Sequence, residues 1–425
     1  MTAVLPAAPA TTGVGVWCCE LELSGVDGLK AVVPARDEPR MRVLVRLHGE
    51  PLGYLTRPAG TTVDALVAAA WQAFGTAALT HLAVEGAAPA LGERPAPATA
   101  ACPNRVTEDE FVSVVVCTRD RAGQLGAALD RLAALTYPRL EIVIVDNAPS
   151  DDSTERLVTA RAERDSRFRY VREPRPGLSA ARNRGLIAAH GRYVAYTDDD
   201  VSVDPGWVHG LVRGFATRPD VACVTGLVCT ASIGNASEAY FDARNSGWSG
   251  RVAARLYDRD TDGGPLYPYS AGIFGTGANV AFHRERTLAI GGFDEALGAG
   301  SPTRGGEDLD AFVRVLRAGH AIAYQPAAVV WHHHRADPAS LLRQMYGYGT
   351  GLTAYLTKLA LAPDTRRDLL RRVPAGLLRL ARIRPDTHRR LDGVTAPRAA
   401  LRREFAGYLA GPLLYLRARR AGGTR

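Results

Sequence analysis

FVSVVVCTRDRAGQLGAALDRLAALTYPRLEIVIVDN, residues 111–147, decides the fold. Two runs of almost uninterrupted apolar residues, FVSVVVC and LEIVIVDN, flank a segment with apolar positions 125, 128, 129 and 132. The first pattern suits strands buried on both faces, and the second suits an amphipathic helix. The alternation continues with a polar helix near 151–163, the strand FRYV, the helix PGLSAARNRGLIAAHG and the strand RYVAYT. Strand, loop and helix in repetition predict a doubly wound α/β sheet covered on both faces. Ligands of such sheets bind outside the carboxyl ends of the strands. Those ends carry Thr118 and Arg119, Asp146 and Asn147, and Asp198, Asp199 and Asp200, so one polar crevice is expected.

The three adjacent aspartates need a reason. Two like charges about 4 Å apart repel by roughly 1 kcal/mol in water and about 4 kcal/mol at an effective dielectric near 20. Strand alternation would turn Asp198 and Asp200 to one side and Asp199 to the other. Two hard carboxylates on one side suit Mg²⁺ or Mn²⁺. The competing reading is a solvated turn, with Asp204 and Pro205 opening the next helix.

Further along, GGEDLDAFVRVLRAGH (305–320) has an apolar stripe at 309, 312, 313 and 316, with Asp310, Arg314 and Arg317 off it. Glu307 and Asp308 open this helix behind two glycines, where a carboxylate either faces the crevice or merely favours the helix dipole. In SAGIFGTGANVAF, Gly275 and Gly277 permit close backbone approach to a ligand, and Asn279 is a candidate sugar contact. VVWHHHR (329–335) offers imidazoles, with His332 and His334 on one side and His333 on the other. Trp207, Trp248, Tyr267 and Tyr269 are either core or stacking surfaces for an acceptor sugar, and residues 231–270 read as an acceptor-side insertion.

VSVVVCTRDR, VDNAPSDD, PGLSAARNRG, YTDDDV, GTGANVAFHRE, GGFDEALG, GGEDLDAFVRVLRAGH and VVWHHHR, in that order, resemble the inverting family 2 glycosyltransferases of GT-A fold. The resemblance spans residues 111–335. It implies a nucleotide-diphosphate sugar donor held by Thr118, Arg119 and Asp146, with Arg182 near the phosphates. It makes Asp198 and Asp200 the metal pair; another alignment gives Asp198 to the ribose and Asp199 to the metal, and strand alternation favours the first. It implies that a histidine after the last strand, His332 rather than His334, completes the Mg²⁺ or Mn²⁺ site. It makes Asp308 the general base, with Glu307 the alternative or a sugar contact. Other chemistries remain open: metal-dependent nucleotidyl transfer, disfavoured by the absence of a Lys-bearing phosphate loop, or a silent nucleotide-sugar-binding module.

The remainder is read more coarsely. Residues 14–86 form a small α+β module, with 16–56 as short antiparallel strands and TTVDALVAAAWQAFGTAAL as a Thr-capped helix. Residues 87–110, rich in Ala and Pro, read as a linker, and 336–425 as a helical, Arg-rich region. Arg supplies 50 of the 52 basic residues, first a mark of a GC-rich coding genome. Sixteen Arg against five acids in 361–425 concentrate the net charge of +8 in the tail. Leu–Arg alternation over 364–420 suits either a helical lid or contact with an anionic membrane, which would admit a lipid-linked acceptor beside a sugar or small molecule. No nucleic-acid-binding motif accompanies the charge. Six Cys without C-x-x-C indicate neither a zinc site nor a disulfide framework and suit a reducing cytoplasm, the tail adding a peripheral place at the inner face of the membrane. No signal peptide is read at the N-terminus, and no run of 18 apolar residues occurs.

Overall fold

The computed structural model describes residues 15–25, 28–87, 92–391 and 397–422. The N-terminal leader reading, Val14 and 88–91 of the module and linker, and 392–396 and 423–425 of the tail lie outside the described residues. The N-terminal module contains β1 (Val16–Glu22), β2 (Arg40–Leu47), β3 (Glu50–Pro58) and α1 (Val63–Val84). Thr62 caps α1, its side chain accepting from the Ala65 N–H. Strands β2 and β3 form the expected antiparallel hairpin. Strand β1, however, runs parallel to β2, which corrects the all-antiparallel expectation. Alternation reports which face is buried, and that is the same for either strand direction.

From Phe111 the order is β4 (Val112–Thr118), α2 (Ala122–Ala133), β5 (Leu140–Asn147), α3 (Ser153–Ala162), β6 (Phe168–Glu173), α4 (Leu178–Ala188) and β7 (Tyr193–Asp198). Next come β8 (Val201–Val203), α5 (Trp207–Ala216), β9 (Val221–Thr230), β10 (Ser232–Ile233), α6 (Ala236–Arg244), α7 (Ser246–Ser249), β11 (Arg255–Tyr257) and β12 (Asn279–His283). The chain ends with α8 (Arg284–Ala289), α9 (Glu307–Arg317), β13 (Ala321–His332), α10 (Pro338–Leu361), α11 (Pro363–Arg390) and α12 (Arg398–Gly422).

The large sheet has the order β11-β13-β9-β12-β7-β4-β5-β6, with β8 beside β13. Strands β4 to β7 are mutually parallel, and β12 is antiparallel to both β7 and β9. The carboxyl ends of β4, β5, β7, β9 and β13 and the amino end of β12 therefore share one edge. Alternate residues of β4 feed two cores: Val112, Val114 and Val116 pack with Leu125, Leu129 and Trp207, while Val115 packs with Ala181, Phe282 and Phe312. That is the doubly wound mixed α/β architecture, with helices on both faces.

The two-residue strand β10, from within 231–270, completes the N-terminal sheet in the order β10-β1-β2-β3. Val16, Cys18 and Leu44 of the module pack with Leu227, Cys229, Val329 and Trp331. Arg42 forms a two-pronged pair with Asp242 at 2.9 and 3.0 Å, and Arg46 reaches Asp204 at 2.7 Å. The segment 231–270 is thus part scaffold. Trp207, Tyr267 and Tyr269 are buried, so the core reading holds for those three aromatics. Asp310, expected off the apolar stripe, is 1% exposed and is paired with Lys358 and Arg314. The cations that meet it come from α10 and from one turn on, which the stripe alone does not reveal.

Helix α1 is long and apolar enough in composition to cross a bilayer, unlike the expectation from uninterrupted runs. Here its Leu66, Val67, Ala70, Trp71, Ala78 and Leu82 pack on the module's sheet. In the tail, α12 is fixed by Glu404 to Arg244 and by Tyr415 to Asp294. Leu377 and Leu378 of α11 and Phe405, Leu409 and Leu413 of α12 are exposed.

Candidate active site

Registers bring the motif residues together. Thr118 stands opposite Asp146, Cys117 opposite Asp198, and Asn279 opposite Thr197. Strand β7 ends at Asp198, so strict alternation stops there. Asp199 turns inward: it accepts from the Thr118 hydroxyl at 2.7 Å and from Arg121 at 2.8 Å. Asp200 accepts from Arg335 at 2.6 Å and lies 4.0 Å from the same Arg121 nitrogen. The expected opposition of Asp199 to Asp200 is therefore not observed, because a turn has replaced the extended backbone that would impose it. Asp198 lies 3.6 Å from Arg182. Three arginines thus offset the repulsion among three aspartates. Burial, opposed by Arg182 and reinforced by Asp200 and Asp199, still pushes the Asp198 carboxyl up to about 7.

Arg182, on α4, is 3% exposed and ties the crevice floor together. It donates to Glu307 Oε1 at 2.9 Å and to the Gly277 carbonyl at 3.1 Å. The Gly277 N–H in turn donates to Asp308 Oδ2 at 2.9 Å. Gly306, immediately before α9, has φ +91°, and a Cβ there would come 2.5 Å from the Gly351 carbonyl oxygen of α10. Its bare backbone lets α9 begin against α10, with Glu307 and Asp308 turned to the crevice. Glu307 Oε2 is buried without a hydrogen-bond partner. Burial raises the Glu307 carboxyl's pKa, with Arg182 opposing and Asp308 adding to the rise.

Asp146 is fully buried, accepts from the Tyr170 hydroxyl at 3.1 Å, and keeps Oδ1 unpartnered. Burial raises its pKa above the usual aspartate value, with Tyr170 opposing. Asn147 receives the Gly177 N–H and donates to the Arg175 carbonyl, closing the loop before α4. Arg119 is half exposed, 3.6 Å from Asp120.

Two expectations meet a different environment. Asn279 is fully buried: Oδ1 accepts from Trp207 Nε1 at 2.8 Å, and Nδ2 donates to the carbonyls of Leu227 and Ala328. Its amide is committed to joining strands, which leaves it no group for a sugar. His332 stacks on Phe241 with rings 8° from parallel, and its Nδ1 lies 3.0 Å from His334 Nδ1. His334 also meets the Thr230 hydroxyl, while His333 meets Ser202 on the other side. Burial lowers all three pKa values, that of His333 to about 4 and that of His334 to about 3, so the rings are neutral bases. The residues that motif reading missed are Arg121, Arg335 and Tyr170. The first two sit inside TRDR and HHHR, where the abundance of Arg conceals them.

An open mixed sheet with an acidic crevice at its carboxyl edge defines the GT-A class of nucleotide-diphospho-sugar transferase folds. Residues 113–284 match the family model "Glycosyl transferase family 2". It is 28% identical over 239 residues to a pre-mycofactocin glycosyltransferase of Mycobacterium tuberculosis, covering 56% of this chain and 46% of that protein. It is 25% identical over 234 residues to a glucosyl-dolichyl phosphate glucuronosyltransferase of Haloferax volcanii, covering 52% and 68%. The chain thus spans under half the length of its mycobacterial relative. A mannosyltransferase of Pyrobaculum calidifontis, solved with GDP-Man and Mn²⁺, aligns with a TM-score of 0.45 and 19% identity over 83% of this chain and 97% of that one.

Proposed function

We propose that the chain is an inverting glycosyltransferase that moves a sugar from a nucleotide-diphosphate donor to an acceptor hydroxyl. The observation that carries this reading is the linked floor of the crevice. Asp198, Arg182 and Glu307 are joined to Asp308 through the backbone carbonyl and N–H of Gly277. Asp308 is the general base, with one oxygen oriented by the Gly277 N–H. The acceptor oxygen loses its proton to Asp308 and bonds to the anomeric carbon, while the bond from that carbon to the diphosphate oxygen breaks and the nucleoside diphosphate leaves. Asp146, with its free Oδ1, suits a base N–H or ribose hydroxyl, and Arg119 offers a fork to the phosphates. Arg182 is a positioning residue, since its guanidinium is already engaged by Glu307 and Gly277.

The crevice chemistry fits a hard divalent cation. Its donors are carboxylate oxygens, and Asp198, raised chiefly by burial and further by Asp200 and Asp199, is a carboxyl whose charged form a cation would stabilise. Among the described residues no three ligand atoms gather here within 4.8 Å. Asp198 and Asp200, with Asp199 as the alternative, would hold Mg²⁺ or Mn²⁺ together with donor phosphates and water. Such an ion supplies Lewis-acid neutralisation of the departing diphosphate. His332 is a neutral base near this edge, and we assign it as the candidate protein nitrogen ligand.

Cell-surface polysaccharide, glycolipid or glycoside synthesis would employ this reaction. The exposed leucines and arginines of α11 and α12 suit peripheral contact with an anionic membrane and a lipid-linked acceptor. The deciding experiment incubates the purified chain with UDP-, GDP- and dTDP-sugars and Mn²⁺ or Mg²⁺. Release of nucleoside diphosphate, abolished by EDTA and by Asp200→Asn, is expected. Pyrophosphate instead would indicate nucleotidyl transfer, neither product would indicate binding alone, and full activity in EDTA would remove the metal assignment.

A further inference from the structure

Outside the crevice, in the N-terminal module and the segment that follows it, four side chains point their ligating atoms at one another: His48, His81, Glu85 and Cys102. His48 Nδ1 lies 2.6 Å from Glu85 Oε1 and 3.1 Å from His81 Nε2, and His81 Nε2 lies 2.9 Å from Glu85 Oε1. Cys102 Sγ is 3.5 Å from His81 Nε2 and 3.8 Å from His48 Nδ1. Ligands bound to zinc at roughly 2.0–2.3 Å in a tetrahedron stand about 3.3 Å apart for nitrogen and oxygen, and about 3.6 Å for sulfur to nitrogen. The sulfur separations straddle the second value, while the nitrogen and oxygen separations are about 0.2–0.7 Å shorter than the first, so the ligands would spread slightly around the ion. The His48 and Glu85 side chains are 1% exposed and that of His81 is 10% exposed, so bulk water does not dilute the cluster.

Proton accounting sharpens the point. His48 Nε2 lies 2.9 Å from the Ala96 carbonyl, which only accepts, so Nε2 carries a hydrogen and Nδ1 of the neutral ring presents a lone pair. Glu85 Oε2 accepts from the Thr99 N–H and hydroxyl, leaving Oε1 for the cluster. Two electron-pair donors 2.6 Å apart need either a shared proton or a metal cation between them. The carbonyl behind His48 and the Thr99 donors behind Glu85 are the kind of outer partners that orient metal ligands.

The local fold is built to deliver these groups. His81 and Glu85 lie one turn apart at the end of α1. His48 occupies the two-residue turn between β2 and β3 with φ +52°, followed by Gly49 at +78°. That turn favours Asn or Gly, and a histidine there pays about 1 kcal/mol or more. The Glu22 carboxylate holds it by accepting from the N–H groups of His48 and Gly49. Cys102 comes from the segment read as a linker.

The geometry points to a structural zinc site formed by His48 Nδ1, His81 Nε2, Glu85 Oε1 and the Cys102 thiolate. Imidazole and thiolate select zinc over the hard cations suited to the crevice, and four protein ligands leave no position for substrate. The ion pins the β2–β3 turn, the end of α1 and the connecting segment to one another. On binding, the Cys102 thiol releases its proton to solvent.

The test is metal analysis of the full chain, purified from zinc-supplemented medium and dialysed. One zinc per chain is expected, retained in Asp200→Asn and reduced at least tenfold in His81→Ala and Cys102→Ser. Replacement by Co²⁺ should give a thiolate-to-metal charge-transfer band that Cys102→Ser lacks. Because His81→Ala also removes packing at the end of α1, the isosteric Glu85→Gln and Cys102→Ser are checked for cooperative melting. A well-folded wild-type chain without stoichiometric zinc, or zinc retained in folded Cys102→Ser and Glu85→Gln, would overturn the site and leave a hydrogen-bonded His48–Glu85 ion pair. Neither result bears on sugar transfer.

Discussion

At the carboxyl edge of the large sheet each aspartate of the 198–200 triplet is met by an arginine: Asp198 by Arg182, Asp199 by Arg121 and Asp200 by Arg335. In the N-terminal module, His48, His81, Glu85 and Cys102 are met mainly by one another. Under the proposed function and the proposed zinc site, the difference separates a site that must exchange its ligands from one that must not. Arginine partners would yield to a diphosphate or a cation under the proposed function, and Asp146 Oδ1 and Glu307 Oε2 are buried without a hydrogen-bond partner. The module's cluster has its outer valences already filled by Ala96 and Thr99.

The sharpest way to break this contrast is Asp308→Asn. It should lower turnover about 10²- to 10⁴-fold, the usual range for general-base loss, while donor affinity measured by calorimetry and zinc content stay unchanged. Unaltered turnover would remove Asp308 from the reaction. Arg182→Ala should cost about 3–5 kcal/mol in denaturant unfolding, since it strands the buried Glu307 carboxylate. A loss under about 1 kcal/mol would mean that the arginines of the crevice are spectators.

Asp242 extends the comparison to an arginine-held carboxylate outside the crevice. Burial raises its pKa, but the charge and hydrogen bond of Arg42, with help from Thr230, win and leave it below the ordinary aspartate value. A depressed carboxyl pKa stabilises the fold above the unfolded value, near about 3.9, and that contribution is lost as pH falls through the folded value. Asp242→Asn should cost about 1.5–3 kcal/mol at neutral pH and flatten the acid limb of the stability curve. An unchanged acid limb would deny the pair its role in joining module and domain. Tyr170→Phe, the mildest change, should cost about 1 kcal/mol and weaken donor binding only slightly by freeing the second oxygen of Asp146.

What could be read in advance follows from which forces are local. The strands from β4 to β7 and their helices announce themselves because burial on both faces demands continuous apolar runs, and the crevice follows from where such strands end. The direction of β1, the loan of β10 to the other sheet and the arginines facing the aspartates depend on contacts between distant segments. Asn279 was misread because an amide joining strands and an amide holding a sugar leave the same letter. The His–Glu–Cys cluster escaped for a related reason: its ligands sit at 48, 81, 85 and 102, and only the spacing His81 to Glu85 on α1 gives a local cue.

Strand β10 is only two residues long, yet it makes the N-terminal sheet a shared possession. A chain cut at Phe111 would leave Leu227, Cys229, Ile233 and Trp331 as a raw hydrophobic scar, and Asp204 and Asp242 without their cations. The Ala/Pro-rich segment is therefore a seam in the sequence but not a place where the protein comes apart. A substitution at Leu44 would be felt by Trp331 across that seam as directly as by its own neighbours.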